Sequence, residues 1–249
     1  LAMDRLIAGL AMAGVPLHGW RLSPEYVRLL GIPLVEAIIA EVDLDDPLAR
    51  EEHSVVLRRT ALTAFSSYAW RRRLGELAGV RVHHQPSVSV VMASKRQDLV
   101  SFALQGIARQ RGVDDLELVL VTHGYTVESS WVREQLGGDI GVRVLAGAPD
   151  ALFGDLLNAA ADATSGDVVL KMDDDDWYGP DFVADLLHAR AYSGAELVGA
   201  PDDWYYLEDR DLTIRLGQPA EVYRQFVAGG TMLLDRTLLR EVGGFRSVT

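Results

Sequence analysis

Residues 168–180 read VVLKMDDDDWYGP, in which a short apolar run leads into four consecutive aspartates and a turn. The apolar run predicts a strand at 168–172, so the aspartates follow directly after its end. Adjacent carboxylates repel one another, and the cost rises with burial. Two interpretations account for such a run. One is a solvated acidic loop; the other is a site for Mg²⁺ or Mn²⁺, which prefer carboxylate oxygens and share them with a substrate's phosphates.

Strands and helices alternate on both sides of this stretch. The predicted strands lie at 88–92, 117–121, 142–145 and 168–172, and the predicted helices at 98–110, 151–163 and from Pro180 to near Gly194. This rhythm is typical of an α/β fold, in which helices cover both faces of a mostly parallel sheet.

In such a sheet, ligands bind beyond the carboxyl ends of the strands. The sequence puts two polar segments there: residues 93–96, which read ASKR, after the first strand, and the aspartates after the fourth. In an extended segment alternate side chains face the same way. We therefore expect Asp173 and Asp175 to point together and to be able to hold one metal ion.

Residues 1–85 lack the alternation of strands and helices, and their sequence predicts a helical N-terminal region. Asp46 and Pro47 form a start signal, with the aspartate as N-cap and the proline at the first helical position. From there to Gly79 the composition predicts one long helix or two. The pair Gln85-Pro86 ends this pattern, so we expect a separate α/β domain over residues 86–249.

Composition narrows the class of protein. The chain has 249 residues, 49% of them hydrophobic, which is enough for a sizeable core, and it lacks cysteine, which excludes disulfides and thiolate metal sites. The net charge of −12 lies in residues 86–249 and argues against nucleic-acid binding. No signal peptide and no run of about 18 apolar residues is visible, so we expect no transmembrane segment and a cytoplasmic location.

From residue 86 onward the chain resembles an inverting family 2 glycosyltransferase of bacterial type with the Rossmann-like GT-A fold. The resemblance rests on the order and spacing of several short motifs. They are PSVSVVMAS at 86–94, ELVLV at 117–121, LNAA at 157–160, ATSGD at 163–167, KMDDDDWYGP at 171–180, GGT at 229–231 and EVGGFR at 241–246.

The resemblance implies a metal-dependent transfer of sugar from a nucleoside-diphosphate sugar to a hydroxyl of a saccharide, a lipid-linked molecule or another acceptor. It gives Asp173 and Asp175 the role of binding Mg²⁺ or Mn²⁺ against the donor diphosphate. It places Asp174 near the donor ribose or sugar. The loop after the first strand, with Ala93, Ser94 and Arg96, would line the nucleotide.

Three further residues are candidates for substrate contacts. By the resemblance Trp177, together with residues 202–206, faces the sugar or the acceptor. His123 follows the second strand, where it either contacts a ligand or is only a polar loop residue. Gly230 either allows close approach of the backbone to a ligand or only forms a turn.

The chain departs from the family pattern in two places. After the second strand the family usually carries an acidic residue that contacts the base, whereas this chain reads THGY at 122–125. The catalytic base of the family follows the Gly-Gly-Phe segment, so we expect it beyond Thr249. We accordingly expect the α/β domain to be truncated at its C-terminal end, and the chain to be a piece of a larger protein in which residues 1–85 are the tail of a preceding domain.

Two other functions remain open on the sequence. One is a nucleotidyltransferase or phosphohydrolase that uses the aspartates to bind metal. The position of the aspartates after the fourth strand argues against a dehalogenase-type phosphatase. The loop at 93–96 contains no glycine, which argues against a pyrophosphorylase. The other is a GT-A domain that only binds or scaffolds. An aspartate shortly after Thr249 would favour the enzyme, because a general base has to lie within reach of the acceptor.

Overall fold

The computed structural model describes residues 2–80 and 85–247. The described residues fall into two compact units, one on each side of the gap at 81–84. The first unit is helical, and the second combines helices with β-sheet.

Within residues 2–80 the first unit contains five helices. They are α1 (Ala2–Met12), α2 (Pro24–Leu30), α3 (Ile32–Ile39), α4 (Pro47–Phe65) and α5 (Ser67–Ala78). The predicted start signal is confirmed, because Asp46 Oδ1 accepts a hydrogen bond from the Leu48 amide at 2.9 Å. Ser66 separates α4 from α5 and caps the second of them through the Ala69 amide at 3.2 Å. The stretch up to Gly79 thus forms two helices.

The core of the first unit lies between α1, α3 and α4. Leu34, Leu57 and Ala61 are at most 1% exposed there. His53 is also buried, and its Nε2 lies 2.7 Å from the Leu17 carbonyl oxygen. Across residues 2–80 and 85–247, no helix is both long enough and apolar enough to cross a bilayer.

The second unit is built on a sheet of six strands within residues 85–247, in the order β3-β2-β1-β4-β8-β5. The strands are β1 (Val88–Ser94), β2 (Leu116–His123), β3 (Gly141–Gly147), β4 (Val168–Lys171), β5 (Leu197–Val198) and β8 (Leu233–Asp235). β1 pairs in parallel with both β2 and β4, whereas β8 runs antiparallel to β4 and β5. The four parallel strands, β1 to β4, are the ones that the sequence predicted.

Helices cover both faces of this sheet. They are α6 (Val100–Ala108), α7 (Ser129–Leu136), α8 (Phe153–Asp162), α9 (Phe182–Ser193) and α10 (Arg236–Glu241). One core contains Met92 and Leu170 with residues of α6, α7 and α9. The other contains Val91 and Val169 with residues of α8 and α10. Successive strand residues therefore face opposite cores, as the side-chain alternation of a strand requires.

A separate hairpin extends from the second unit. It consists of β6 (Trp204–Leu207) and β7 (Leu212–Arg215), paired antiparallel. Its strand residues are mostly exposed.

The predicted fold class is confirmed: a mostly parallel α/β sheet with helices on both faces, preceded by a helical region. The antiparallel strand β8 was not predicted. Its three residues, Leu233 to Asp235, are too short for a period-2 pattern to identify them.

Candidate active site

The two polar segments meet where the strand order of the sheet reverses. From β1 the chain moves to β2 and β3 on one side, and β4 then lies on the other side of β1. Val91 pairs with Lys171, and the Met172 amide donates to the Val91 carbonyl at 3.1 Å. The loops that follow β1 and β4 therefore lie side by side, at the kind of topological switch point where open α/β sheets bind ligands.

Asp174 ties these two loops together. Its side chain is only 4% exposed. Oδ2 accepts a hydrogen bond from Ser94 Oγ at 2.5 Å and a longer one from Arg96 Nε at 3.4 Å, while Oδ1 accepts from Arg96 Nη2. Both carboxylate oxygens of Asp174 are thus engaged by the loop after β1.

Arg96 also reaches the next aspartate. Its Nη1 donates to Asp175 Oδ2 at 2.7 Å, and the Asp175 side chain is 48% exposed. Hydrogen bonding by Arg96 lowers the pKa of Asp175 below its usual range. The same bonds to Asp175 and Asp174 raise the pKa of Arg96. One guanidinium therefore neutralises part of the charge on two carboxylates.

Asp173 has a different cationic partner. Its Oδ1 lies 2.6 Å from Lys171 Nζ, and the Lys171 side chain is 8% exposed. The ammonium group also lies 5.8 Å from the ring centroid of Phe153 on α8. A buried ammonium requires a paired charge, and Asp173 supplies it.

Asp173 and Asp176 approach each other above Gly230. A Cβ at Gly230 would lie 2.7 Å from Asp173 Oδ2, 2.6 Å from Asp176 Oδ2 and 2.9 Å from Tyr178 Oη. Burial raises the pKa of Asp176, and the charges of Asp173 and Asp175 raise it further. Gly230 is therefore the floor of a small acidic cradle that any side chain would fill.

The Tyr178 hydroxyl holds this cradle together. It accepts a hydrogen bond from the Asp173 amide at 2.8 Å and donates to the Gly230 carbonyl at 2.8 Å, with Asp176 Oδ2 at 3.3 Å as an alternative acceptor. The ring is buried against Phe182, with centroids 4.9 Å apart.

The expected alternation along the run is wrong. β4 ends at Lys171 and the chain bends at residues 174–175, so the segment is not extended. The structure instead pairs Asp174 with Asp175 at Arg96, and Asp173 with Asp176 at Gly230. The assignment of Asp173 and Asp175 as metal ligands stays a prediction, which no longer rests on alternation.

The carboxylates suit a divalent ion that is shared with a substrate. Among residues 2–80 and 85–247, no three His, Cys, Asp or Glu side chains are arranged to hold a metal by themselves. Mg²⁺ and related hard ions are commonly bound by one or two carboxylates plus substrate phosphates. In the described part of the chain the four aspartates contact two cationic side chains, Arg96 and Lys171. The cluster thus retains two negative charges, which one divalent ion would balance.

The loop after β2 contributes two polar groups. The His123 ring bonds to the Pro149 carbonyl at 3.0 Å, and thus to the loop after β3 rather than to the aspartates. The hydroxyl of Tyr125 is shielded from solvent and has no hydrogen-bond partner of good geometry within the described residues. Burial raises the pKa of Tyr125, and the charge of Asp174 adds to the rise, while a weak hydrogen bond with Ser94 opposes it. Tyr125 therefore faces the same loops as Asp174.

Exposed aromatic side chains occur directly after Asp176 and on the hairpin. Trp177 is 72% exposed, and Trp204 and Tyr206 on the hairpin are 59% and 62% exposed. Tyr205 is near enough to Asp176 for that charge to contribute to the raised pKa of its hydroxyl, whose main cause is the hydrogen bond to Asp202. Ala93 by contrast is buried in the core behind the loop.

Asn158 on α8 fixes the Gly-Gly-Phe segment. Its Nδ2 donates to the Phe245 carbonyl at 2.8 Å, and its Oδ1 accepts from the Phe245 amide at 2.7 Å. Gly244 has a φ of +78°, and a Cβ there would lie 2.4 Å from Asn158 Oδ1. The two motifs, far apart in sequence, form one clamp.

Sequence reasoning missed four residues of this site: Lys171, Asp176, Tyr178 and Asn158. A lysine at the end of an apolar strand was a usable signal, because burial would demand an anionic partner. The contacts of Tyr178 and Asn158 connect segments more than 50 residues apart, and a single sequence carries no signal for them.

A comparison with known protein families identifies one that matches this chain. The sequence model of the family described as "Glycosyl transferase family 2" matches residues 89–242, which is more than half of the chain. A search of curated protein sequences finds no match.

Several solved structures share the fold. A mannosyltransferase from Pyrobaculum calidifontis, solved with GDP-Man and Mn²⁺, aligns with a TM-score of 0.52 and 18% identity, over 75% of this chain and 58% of that one. TarS residues 1–349 of S. aureus align with a TM-score of 0.50 and 15% identity, over 64% of this chain and 50% of that one. TarS has also been solved with UDP-GlcNAc. The chain spans about half the length of these proteins.

Proposed function

The chain belongs to glycosyltransferase family 2, and from that membership we propose that its second unit binds a nucleoside-diphosphate sugar at the β1–β4 switch point. There it transfers the sugar, with inversion, to an acceptor hydroxyl. The observation that carries the proposal is the acidic cluster at this point, which retains two negative charges after Arg96 and Lys171 are counted. Such a cluster suits a divalent cation held jointly with a diphosphate.

We assign Asp173 and Asp175 to the metal. Their side chains are 29% and 48% exposed, whereas Asp174 is 4% exposed and has both oxygens engaged by Ser94 and Arg96. A Mg²⁺ or Mn²⁺ ion bound there would stabilise the negative charge that develops on the leaving diphosphate. Asp176 shares the Gly230 cradle with Asp173, so its negative charge would also attract a cation bound there.

The loop after β1 would bind the nucleotide. Asp174 holds Ser94 and Arg96 in place, and a guanidinium held in this way is suited to donate charge-assisted hydrogen bonds to phosphate oxygens. The shielded hydroxyl of Tyr125 lacks a partner of good geometry among the described residues. It is placed to bond a polar group of the nucleoside, in the loop where the family usually has an acid.

The exposed aromatic residues would bind the acceptor. Trp177 directly follows Asp176 and is exposed, and Tyr205 on the hairpin lies near enough to Asp176 for that charge to affect its hydroxyl. Aromatic faces with polar tips suit saccharides. For inversion, the acceptor hydroxyl loses its proton to a carboxylate as it attacks from the side opposite the leaving group. The resemblance puts that base after the Gly-Gly-Phe segment, and Asn158 holds this segment against α8.

The proposal is tested by titrating a panel of nucleoside diphosphates and their sugars into the protein, with and without Mn²⁺, by calorimetry. We expect at least one donor to bind in a metal-dependent way, and Asp175→Asn to weaken that binding by tenfold or more, about 1.4 kcal/mol. The matched control is Asp139→Asn, an exposed aspartate just before β3, at the opposite edge of the sheet. If no donor binds, or if both variants behave alike, the proposal fails.

Turnover then separates the remaining functions. Transfer of sugar to an acceptor, with release of the nucleoside diphosphate, supports the transferase. Binding without turnover favours a scaffold, and cleavage of a nucleoside triphosphate favours a nucleotidyltransferase or phosphohydrolase. The anomeric configuration of the product, read by proton NMR, decides whether the transfer inverts.

A further inference from the structure

We propose that Arg96 is an internal counter-ion of Asp175 that a metal ion has to displace, so that metal and donor diphosphate bind as a coupled pair. The inference rests on the proposed function, because it takes the switch point as the donor site. It goes beyond that function by making one residue responsible for the coupling between the two ligands.

The contacts of Arg96 put it in competition with a cation. Its Nη1 lies 2.7 Å from Asp175 Oδ2, the more exposed of the two carboxylates assigned to the metal. Arginine stays protonated at any ordinary pH, so it cannot leave Asp175 by losing its charge. An ion that binds Asp175 through this oxygen therefore has to break the contact.

The other contacts of Arg96 keep it nearby when this one breaks. Nε and Nη2 both donate to Asp174, which is buried and is also bound by Ser94. Only Nη1 needs a new partner once Asp175 is taken. A diphosphate supplies that partner, because phosphate oxygens accept charge-assisted hydrogen bonds from a guanidinium.

Coupling follows from these two facts. The metal alone leaves Nη1 with water in place of a carboxylate, since Arg96 is 42% exposed. The metal with a diphosphate gives Nη1 a charged partner again. If the diphosphate tightens the metal by some factor, the metal tightens the diphosphate by the same factor. Lys171 does not share this role, since it is buried and paired with Asp173.

The first experiment measures Mn²⁺ alone, by electron paramagnetic resonance of the free ion, in the wild type, Arg96→Gln and Lys95→Gln. Lys95 is exposed in the same loop, so its variant loses the same charge without touching Asp175. We expect Arg96→Gln to bind Mn²⁺ about fivefold more tightly than the wild type, the factor that corresponds to an ion pair of about 1 kcal/mol. We expect Lys95→Gln to change the affinity less than twofold.

Three results would overturn the inference. One is an Arg96→Gln variant that binds Mn²⁺ no more tightly than the wild type. Another is an equal gain in Lys95→Gln, which would make the effect one of net charge. The third is a gain that persists in the double variant Arg96→Gln/Asp175→Asn, because the ion would then bind elsewhere. Circular dichroism melting confirms that each variant is folded.

The second experiment measures the coupling with a nucleoside diphosphate that binds the wild type. The affinity for GDP or UDP with and without Mn²⁺ gives a coupling factor, which we expect to exceed fivefold in the wild type and to fall toward one in Arg96→Gln. An unchanged factor contradicts the inference while leaving the donor site intact. Failure of every nucleotide to bind the wild type contradicts the proposed function instead, and the measurement with Mn²⁺ alone still decides the role of Arg96.

Discussion

Replacing Tyr178 by Phe removes one oxygen from the centre of the site and leaves its packing in place. The ring stays buried against Phe182, so no cavity of note is created. What is lost is the hydrogen bond that the hydroxyl donates to the Gly230 carbonyl and the one that it accepts from the Asp173 amide, each at 2.8 Å.

The expected cost follows from the burial of those two groups. The bond to Gly230 is buried, and a buried carbonyl left without a partner costs about 1–3 kcal/mol. The Asp173 amide is only partly buried, so water can replace part of its bond and the loss is about 0.5–1 kcal/mol. We expect Tyr178→Phe to lower the free energy of unfolding of the second unit by about 1.5–4 kcal/mol, or its melting temperature by about 3–16 °C.

The assay is guanidinium unfolding, with hydrogen exchange of the slowest amides in β1 and β4 as the measure for the second unit. The matched control is Tyr223→Phe. Tyr223 is 82% exposed and donates a hydrogen bond of the same length, 2.8 Å, to the Ser193 carbonyl. At such a surface position the change should lie within about 0.5 kcal/mol of zero.

The same substitution should also affect ligand binding. Tyr178 holds the backbone of Asp173 and that of Gly230, so its loss lets the cradle widen. We expect metal-dependent donor binding to weaken, because a displacement of about 1 Å in a binding site is costly. If Tyr178→Phe and Tyr223→Phe have equal stability, the hydroxyl does not hold the cradle and the reasoning is refuted.

Three further substitutions test other contacts. Gly230→Ala puts a methyl group within 2.9 Å of three oxygens and should weaken metal-dependent donor binding about tenfold, whereas Gly229→Ala, with open space around its Cβ, should leave the calorimetric affinity unchanged. Burial raises the pKa of Glu117, but hydrogen bonds from Ser89, Ser165 and Gly166 lower it below 4.5 on balance. Glu117→Gln should therefore lower the free energy of unfolding by about 1–3 kcal/mol at pH 7. The difference in stability between the variant and the wild type should shrink as pH falls below about 4.5 through the lowered pKa. Asn158→Ala removes both bonds to Phe245 and should speed exchange of the Phe245 amide at least tenfold in the native state; unchanged exchange would mean that the clamp holds nothing.

How much of the fold the sequence predicts depends on the length of each element. The strands over 88–92, 117–121 and 168–172 are mostly apolar runs, each with a single polar residue, which is typical of buried parallel strands, and all three are confirmed. β5 and β8 have two and three residues. β8 becomes a strand because it pairs with the edge of β4, and β5 because it pairs with β8, so both depend on the assembled sheet.

The site was predictable in position and not in detail. The switch-point rule needs only the order of elements, and it brought residues 93–96 and the aspartates to the same edge of the sheet. The pairing within the run depended on where β4 ends. β4 stops at Lys171 and the chain bends at 174–175, and a bend of this kind reverses the side-chain directions that a period of two would give. Long-range contacts, such as Tyr178 with Gly230, then decide which carboxylates face each other.

The bend also explains how four adjacent carboxylates coexist in one folded domain. If the run were extended, Asp173 and Asp175 would share one face, and the buried residue Lys171 would have to serve both. With the bend, Asp173 keeps Lys171, while Asp174 and Asp175 share Arg96 from the loop after β1. Burial raises the pKa of Asp176, and repulsion from Asp173 and Asp175 raises it further. A divalent ion placed among these side chains would relieve that repulsion, so Asp176 favours an ion at the site although it is not one of the two carboxylates assigned to the metal.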